Sequence, residues 1–238
     1  MFSKKYAKPK ATAIIVAAGD SRRMGQGVNK QFLLIDGIPV LAHTLEKFDK
    51  AETIGNIIIV TKPENIPTVW DMIKEFGIRK VTDIVPGGAT RQQSVMNGLR
   101  LVENDALVAV HDGARPFVSP QLIDRLCETG QEFGAVVPGV IPKDTVKVLD
   151  KTGTVANTPD RDTLRCIQTP QVFKTDILKL AYIRAEEATF TGTDDGSVVE
   201  FSGVPVTITD GENTNIKVTT PEDLLIAEAI CQFLKNNY

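Results

Sequence analysis

The sequence is poor in the residues that several kinds of chemistry require. It has two histidines, His43 and His111, three cysteines and one tryptophan in 238 residues. His43 falls in an amphipathic pattern and His111 at the end of an apolar run, so spacing assembles neither a Ser/His/Asp triad nor a histidine metal centre. Cys127, Cys166 and Cys231 are scattered and odd in number, which fits neither metal-ligand spacing nor a disulfide framework. Each reads as a small core hydrophobe, and together they predict a reducing compartment. No apolar run reaches the ~18 residues of a membrane span. Residues 1–10 carry Lys4, Lys5, Lys8 and Lys10, but no apolar region with a small-residue cleavage site follows. A solvated tail is expected there, not a secretory signal. The formal charge of -3 is close to balance, which excludes a surface built to coat nucleic acid or an anionic membrane. A cytoplasmic protein is expected.

What is present is a regular alternation. Short β-branched runs at 13–17, 56–60, 80–85, 106–111, 135–137 and 206–209 predict strands. Between them lie apolar residues at helical spacing: Val40, Leu41, Thr44, Leu45 and Phe48; Ile66, Val69, Trp70, Ile73 and Phe76; Val95, Leu99 and Val102. Gly77 is placed to end the second helix in the left-handed conformation. A fourth helix is expected over 120–133, with Ser119 as N-cap and Pro120 in its first turn. A last one opens at Pro221, with Thr220 as cap and Asp223 as its reciprocal partner. The pattern predicts a single α/β domain over 1–238, a Rossmann-like, mostly parallel sheet with helices on both faces. Residues 142–164 break the rhythm. They are polar and β-prone, with turn signals at 150–153 and 158–160, and predict an extended β-arm that packs on a second copy of the chain. There is no internal repeat.

Three groups of residues can carry chemistry. The first predicted strand runs into Ala17, Ala18, Gly19, Asp20, Ser21, Arg22 and Arg23, and then Lys30. Small residues let backbone N–H groups approach an anion, and the cations add charge to the same loop. Such a turn also opens dinucleotide folds, but the Gly-x-Gly-x-x-Gly spacing is missing; a solvated basic loop is the plain alternative. The second group, His111 to Phe117, follows a strand at the end where ligands of open α/β sheets bind. Asp112 and Arg115 there can grip one ligand or pair with each other, and His111 reads as structural. The third comprises Gln168-Thr169-Pro170-Gln171, Thr193-Asp194-Asp195 and Asn215-Ile216-Lys217-Val218. Arg91 and Ser94 follow Gly87-Gly88 at a strand-to-helix turn suited to close approach of a base or ribose.

In order and spacing these residues resemble the 2-C-methyl-D-erythritol 4-phosphate cytidylyltransferase family. The resemblance runs from Ala13 to about Leu234, and also takes in Lys143-Asp144-Thr145 and Asp160-Arg161. It implies a nucleotidyltransferase that moves CMP from CTP to a polyol phosphate. By implication the loop from Ala17 to Arg23 holds the triphosphate, with Asp20 and Ser21 in it, and Arg23, Lys30 and Lys217 carry the transfer. Gly87, Gly88 and Ser94 would read cytosine and ribose. Asp112, Arg115, Thr169 and Thr193 would hold the polyol phosphate. Thr145 and Arg161, on the arm, would complete the site of a partner, which implies a homodimer. Mg²⁺ is implied as well, held mainly by CTP phosphates, with no protein ligand set. Asn29 stands where a proline is usual, Ala89 where an acid is frequent, and Gly113 where an alanine is frequent; Ala89 puts an acidic ribose contact in doubt.

The chemistry agrees with that inventory. A phosphate monoester has its second pKa near ~6, so the acceptor is already nucleophilic at neutral pH and needs no general base. The task is to position two anions and stabilise departing pyrophosphate. A ribitol 5-phosphate cytidylyltransferase is the nearest alternative, but it typically carries a Gly-Gly turn after the first strand and Ala-Val-Arg-Pro in the acceptor motif. A nicotinamide-dependent dehydrogenase needs a ribose-binding acid after the second strand, where this chain has Val60-Thr61-Lys62.

Overall fold

The computed structural model describes residues 9–19, 29–103 and 107–237. Strand β1 (Ala11–Val16) leads to a 3-10 turn (Lys30–Phe32), a small hairpin of β2 (Leu34–Ile35) and β3 (Ile38–Pro39), and helix α1 (Val40–Lys50). There follow β4 (Ile54–Thr61), α2 (Ile66–Glu75), β5 (Val81–Pro86), α3 (Arg91–Leu99), β6 (Leu107–Asp112), α4 (Pro120–Phe133) and β7 (Ala135–Val140). After a hairpin of β8 (Val148–Leu149) and β9 (Val155–Asn157) come β10 (Cys166–Ile167), β11 (Gln171–Lys174), α5 (Thr175–Glu187) and α6 (Asp195–Phe201). Strand β12 (Thr207–Asp210) and helix α7 (Pro221–Asn237) close the chain.

The central sheet has the order β10-β7-β11-β6-β1-β4-β5, with β12 on β7. Pairs β1–β4, β1–β6, β4–β5 and β7–β12 are parallel, whereas β11 runs antiparallel to both β6 and β7. The mostly parallel sheet expected from the alternation is therefore present. Period-two alternation explains why both faces are covered. Ala13 and Ile15 of β1, Ile57 and Ile59 of β4, and Ala109 of β6 pack on one side, against α1, α2 and α4. Ile14, Ile58, Val60, Val108 and Val110 pack on the other, against α3, α5 and α6. The chain leaves β1 for β4 on one side and returns to β6 on the other, so the crevice at the carboxyl end of β1 is a topological switch point.

Local signals held where they were strong. Gly77 has φ +63, Ser119 Oγ accepts from Leu122 N, and Thr220 and Asp223 exchange hydrogen bonds (3.3 and 2.9 Å) at the start of α7. Trp70 is a correction. It is exposed, and Met72 takes the inward place on α2, because the buried stripe of that helix runs through Val69, Met72 and Ile73. Cys166 is a second correction, exposed on β10, while Cys127 and Cys231 are buried. Burial pushes the Cys127 thiol up to about 12, which leaves it inert. Strand β11 was not expected. It has only four residues, and its pairing on both edges, not its pattern, makes it a strand. Helices α5 and α6 were also missed; Leu180 and Ile183 of α5 face outward and blur its period. The β8–β9 pair lies outside the central sheet, with Val148, Leu149 and Val155 exposed.

Candidate active site

A cleft of about 520 Å³ opens at the switch point. Its walls are the end of β1 with Ala18 and Gly19, the turn carrying Lys30, the β5–α3 turn, Asp112 at the end of β6, and Lys217. The walls meet because the turn residues are small. A methyl group on Gly87 would lie 2.3 Å from Ala18 Cβ, and one on Gly88 2.4 Å from Gln93 Cβ. Only glycine lets the two loops approach this closely.

The β5–α3 turn is held by the side chains that follow it. Ser94 Oγ accepts from Gly88 N (3.1 Å) and donates to the Thr90 carbonyl (2.9 Å). Gln93 Oε1 accepts from Ala89 N and Thr90 N, and Thr90 Oγ1 caps Gln93 N. This capping box sets Arg91 at the first position of α3, over the cleft. On the opposite wall, buried Gln31 donates from Nε2 to the Ala17 carbonyl (2.7 Å) and so pins the Lys30 turn to the loop after β1.

Four charges of alternating sign run across the cleft floor. Asp195, fully buried at the start of α6, accepts both terminal nitrogens of Arg91 at 3.0 and 2.7 Å, and Tyr182 also donates to it. Arg91 Nε reaches Asp112 Oδ1 at 3.3 Å, and Lys217 Nζ reaches Asp112 Oδ2 at 2.7 Å. Burial opposes ionisation of Asp112, but Arg91 and then Lys217 hold its carboxyl well below the usual range. Burial likewise opposes the Arg91 charge, and Asp195 followed by Asp112 overcomes it, raising the pKa. Asp112 is a carboxylate and Arg91 a cation at every working pH. The Lys217 ammonium gives one donor to Asp112 and keeps two for the cleft.

His111 lies beneath this floor and is fully buried. Its Nε2 meets the Arg115 carbonyl at 3.2 Å, an oxygen that only accepts, so Nε2 carries the proton. Nδ1 then accepts from Thr169 Oγ1 (3.1 Å), which itself accepts from Asp112 N (3.1 Å). Burial pushes the His111 pKa down to about 3, so the imidazole is neutral and committed to backbone positioning.

Of the residues singled out from sequence, Ala18, Gly19, Lys30, Gly87, Gly88, Ser94, Asp112 and Lys217 line one cleft. Ala17 and Thr169 are buried behind it. Arg115 Nη1 donates to the Asn215 carbonyl (2.8 Å), bracing the segment that carries Lys217. Thr193 is exposed beside Asp194, the N-cap of α6. Arg161 Nη2 donates to Thr145 Oγ1 (3.3 Å) on the exposed stretch around the β8–β9 hairpin; neither residue lines the cleft. Asp20, Ser21, Arg22 and Arg23 lie outside the described residues. The sequence placed Asp195 in the run Thr193-Asp194-Asp195 but showed no partner for it or for Arg91, and did not single out Tyr182 or Gln31. Asp195 and Tyr182 are brought to Arg91 only by the packing of α5 and α6 on α3. The adjacent acids Asp194 and Asp195 at a helix start were the one available signal.

The described residues hold no group of three or more His, Cys, Asp or Glu placed to bind a metal ion. Two carboxylates line the cleft: Asp112 is occupied by Lys217 and Arg91, and Glu64 belongs to no cluster of acids among the described residues. Such a site fits a divalent cation carried in on ligand oxygens and waters.

A family model described as 2-C-methyl-D-erythritol 4-phosphate cytidylyltransferase matches residues 11–233. A protein of that name from Clostridium acetobutylicum is 44% identical over 226 residues, which is 94% of this chain and 97% of the relative. One from Bacillus velezensis is also 44% identical, with the same coverage of both chains. Among solved structures, the 4-diphosphocytidyl-2C-methyl-D-erythritol synthase of Anaerococcus prevotii superposes with a TM-score of 0.85 at 32% identity, covering 94% of this chain and 97% of its own.

Proposed function

Because the chain belongs to the 2-C-methyl-D-erythritol 4-phosphate cytidylyltransferase family, we propose how its residues divide the work of that reaction. The protein is a nucleotidyltransferase. It transfers CMP from CTP to 2-C-methyl-D-erythritol 4-phosphate, giving the CDP-methylerythritol product and pyrophosphate, in isoprenoid precursor synthesis.

The base and ribose lie over Gly87 and Gly88, whose missing side chains let the β5–α3 turn fold tightly and approach the loop after β1. Ser94 orders that turn and offers its remaining lone pair to the ribose. The triphosphate runs along Ala18 and Gly19 towards Lys30; Asp20, Ser21 and Arg23, which follow Gly19 in sequence, are assigned to the same nucleotide by the family resemblance. The acceptor phosphate enters from the side of Lys217, near Arg115, Thr169 and Thr193. Its dianion attacks the α-phosphorus in line, the bond to the bridging oxygen breaks, and pyrophosphate leaves. No base is needed, and His111, neutral and buried, is not placed to act as one. Lys30, Lys217 and Arg23 stabilise the charge that builds on the α-phosphoryl and leaving oxygens. A bound Mg²⁺, held by CTP phosphates and waters, would neutralise part of the triphosphate charge. Thr145 and Arg161 serve the site of a second copy, giving a cytoplasmic homodimer with shared sites.

One observation carries this assignment: Lys30 and Lys217, remote in sequence, line a single cleft with the small-residue loops. Pyrophosphate release, measured with the common nucleoside triphosphates against methylerythritol 4-phosphate and ribitol 5-phosphate, tests it. Strong preference for CTP and the branched tetritol is expected; equal rates with ATP would overturn the base site. For the shared site, mixing Arg161→Ala with Lys30→Ala subunits should restore activity in heterodimers, and no recovery there would mean each chain works alone.

A further inference from the structure

Helix α7 touches both segments that carry the cleft lysines. Ile216 and Val218, on either side of Lys217, turn into an apolar cluster separate from the two faces of the sheet. Leu33 and Ile35, just after the Lys30 turn, enter the same cluster, and α7 fills it with Ala227 and Cys231. Leu33 N and Val218 N donate to the Lys30 and Ala114 carbonyls at 3.4 and 2.8 Å, so each lysine is tied to a backbone that α7 contacts.

Polar contacts fix the same arrangement. The β2–β3 hairpin turns through Asp36 and Gly37 at φ 52 and 76, the left-handed pair that a two-residue hairpin demands. The Glu228 carboxylate takes the Asp36 N–H on both oxygens, at 2.9 and 3.1 Å. Gln232 Nε2 donates to Asp36 Oδ1 at 3.4 Å, and Lys235 pairs with the same carboxylate. Residues 228, 232 and 235 share one face of the helix. The tip of the hairpin is thus gripped by α7, whose capped start lies just beyond Lys217.

We propose that α7 is a strut that sets the spacing of Lys30 and Lys217 across the cleft, and that Glu228 is its positioning residue. The inference rests on the assignment of both lysines to the transfer step. Glu228 is half-buried and lies outside the cleft lining, so it acts through the hairpin. A shift of about 1 Å in a group that must meet a transition state can cost ~10² in rate.

The test is a double-mutant cycle of Glu228→Ala with Lys30→Ala, reading kcat, KM for CTP and the urea midpoint. Alanine keeps the helix, since it is the best helix former. Glu228→Ala should lower kcat about tenfold, within that range, and leave KM for CTP within about twofold, as expected for an interaction felt in the transition state. In the Lys30→Ala background the same substitution should cost less than about twofold, because its route to the reaction is already gone. Glu228→Gln, which keeps one acceptor oxygen, should fall between wild type and Glu228→Ala and show the same coupling; it decides the matter if the alanine variant folds poorly. Wild-type kcat in the Glu228 variants, or losses that multiply independently of Lys30, overturns the strut. A Lys30→Ala enzyme with normal turnover overturns the role of Lys30 first, and the strut with it.

Discussion

Asp112→Asn is the most informative single change on the cleft floor. The amide keeps the shape of the side chain but turns one acceptor oxygen into a donor. Lys217 is the nearer partner, at 2.7 Å against 3.3 Å for Arg91 Nε, so the remaining oxygen stays with Lys217 and the new NH₂ faces Arg91. Of the two negative charges balancing Arg91 and Lys217, one is lost. Removing a partner from a fully buried pair costs about 3–5 kcal/mol. Here the Lys217 and Arg91 side chains are 37% and 30% exposed, and exposed pairs are worth about 0–1 kcal/mol. An intermediate loss of about 2 kcal/mol in urea unfolding is expected. Kinetically, Lys217 keeps a hydrogen bond but loses its ion pair, which loosens its placement, while the cleft gains positive charge. Turnover in the pyrophosphate-release assay should fall about 30- to 100-fold, the scale of a misplaced catalytic group, with no rise in KM for CTP. If kcat is preserved and KM for the polyol phosphate rises instead, Asp112 holds the acceptor directly and the positioning argument fails.

Two further outcomes follow from the same geometry. Gly87→Ala forces its methyl into Ala18 Cβ at 2.3 Å; overpacking of this kind costs about 1–3 kcal/mol, and CTP affinity by calorimetry should weaken about tenfold or more as the loops part, so unchanged affinity would remove the close approach from the nucleotide site. Acid should destabilise the protein through His111. Its pKa is lowered from 6.5 to about 3 in the folded state, so between those values the unfolded chain binds the extra proton and stability falls as pH falls, approaching about 1.4 kcal/mol per unit. His111→Gln, which can keep a donor and an acceptor, should flatten the urea midpoint between pH 6 and 4; an unchanged slope would assign the acid sensitivity elsewhere.

The sheet was legible because its central parallel strands β1, β4 and β6 are buried on both faces and read as β-branched runs bounded by helical periods. Helix α4 was legible to the residue at both ends, and α7 at its capped start. Strand β11 was not, since four residues carry no period and only the edges of β6 and β7 define it. Within the site, the small-residue loops and Lys30 were readable because an anion site needs glycine-like turns with cations beside them, whereas Lys217 stood out only through the family resemblance. The Arg91–Asp195 clamp was not, because it joins α3 to α6 across a packing interface that sequence spacing cannot display. Ser94 illustrates the middle case: its place in the turn was readable, but its two turn-holding hydrogen bonds were not.

On the proposed mechanism the cleft lysines act on the transition state and not merely on binding. Lys30→Ala tests it most directly, by single-turnover CMP transfer alongside equilibrium CTP binding. Loss of one preorganised electrostatic contact lowers turnover about 10²–10³-fold, so a fall of that size is predicted, with CTP affinity changed only a few-fold and the thermal midpoint nearly unmoved. An enzyme that keeps more than about a tenth of wild-type turnover, or that loses CTP binding in proportion to rate, would contradict the account.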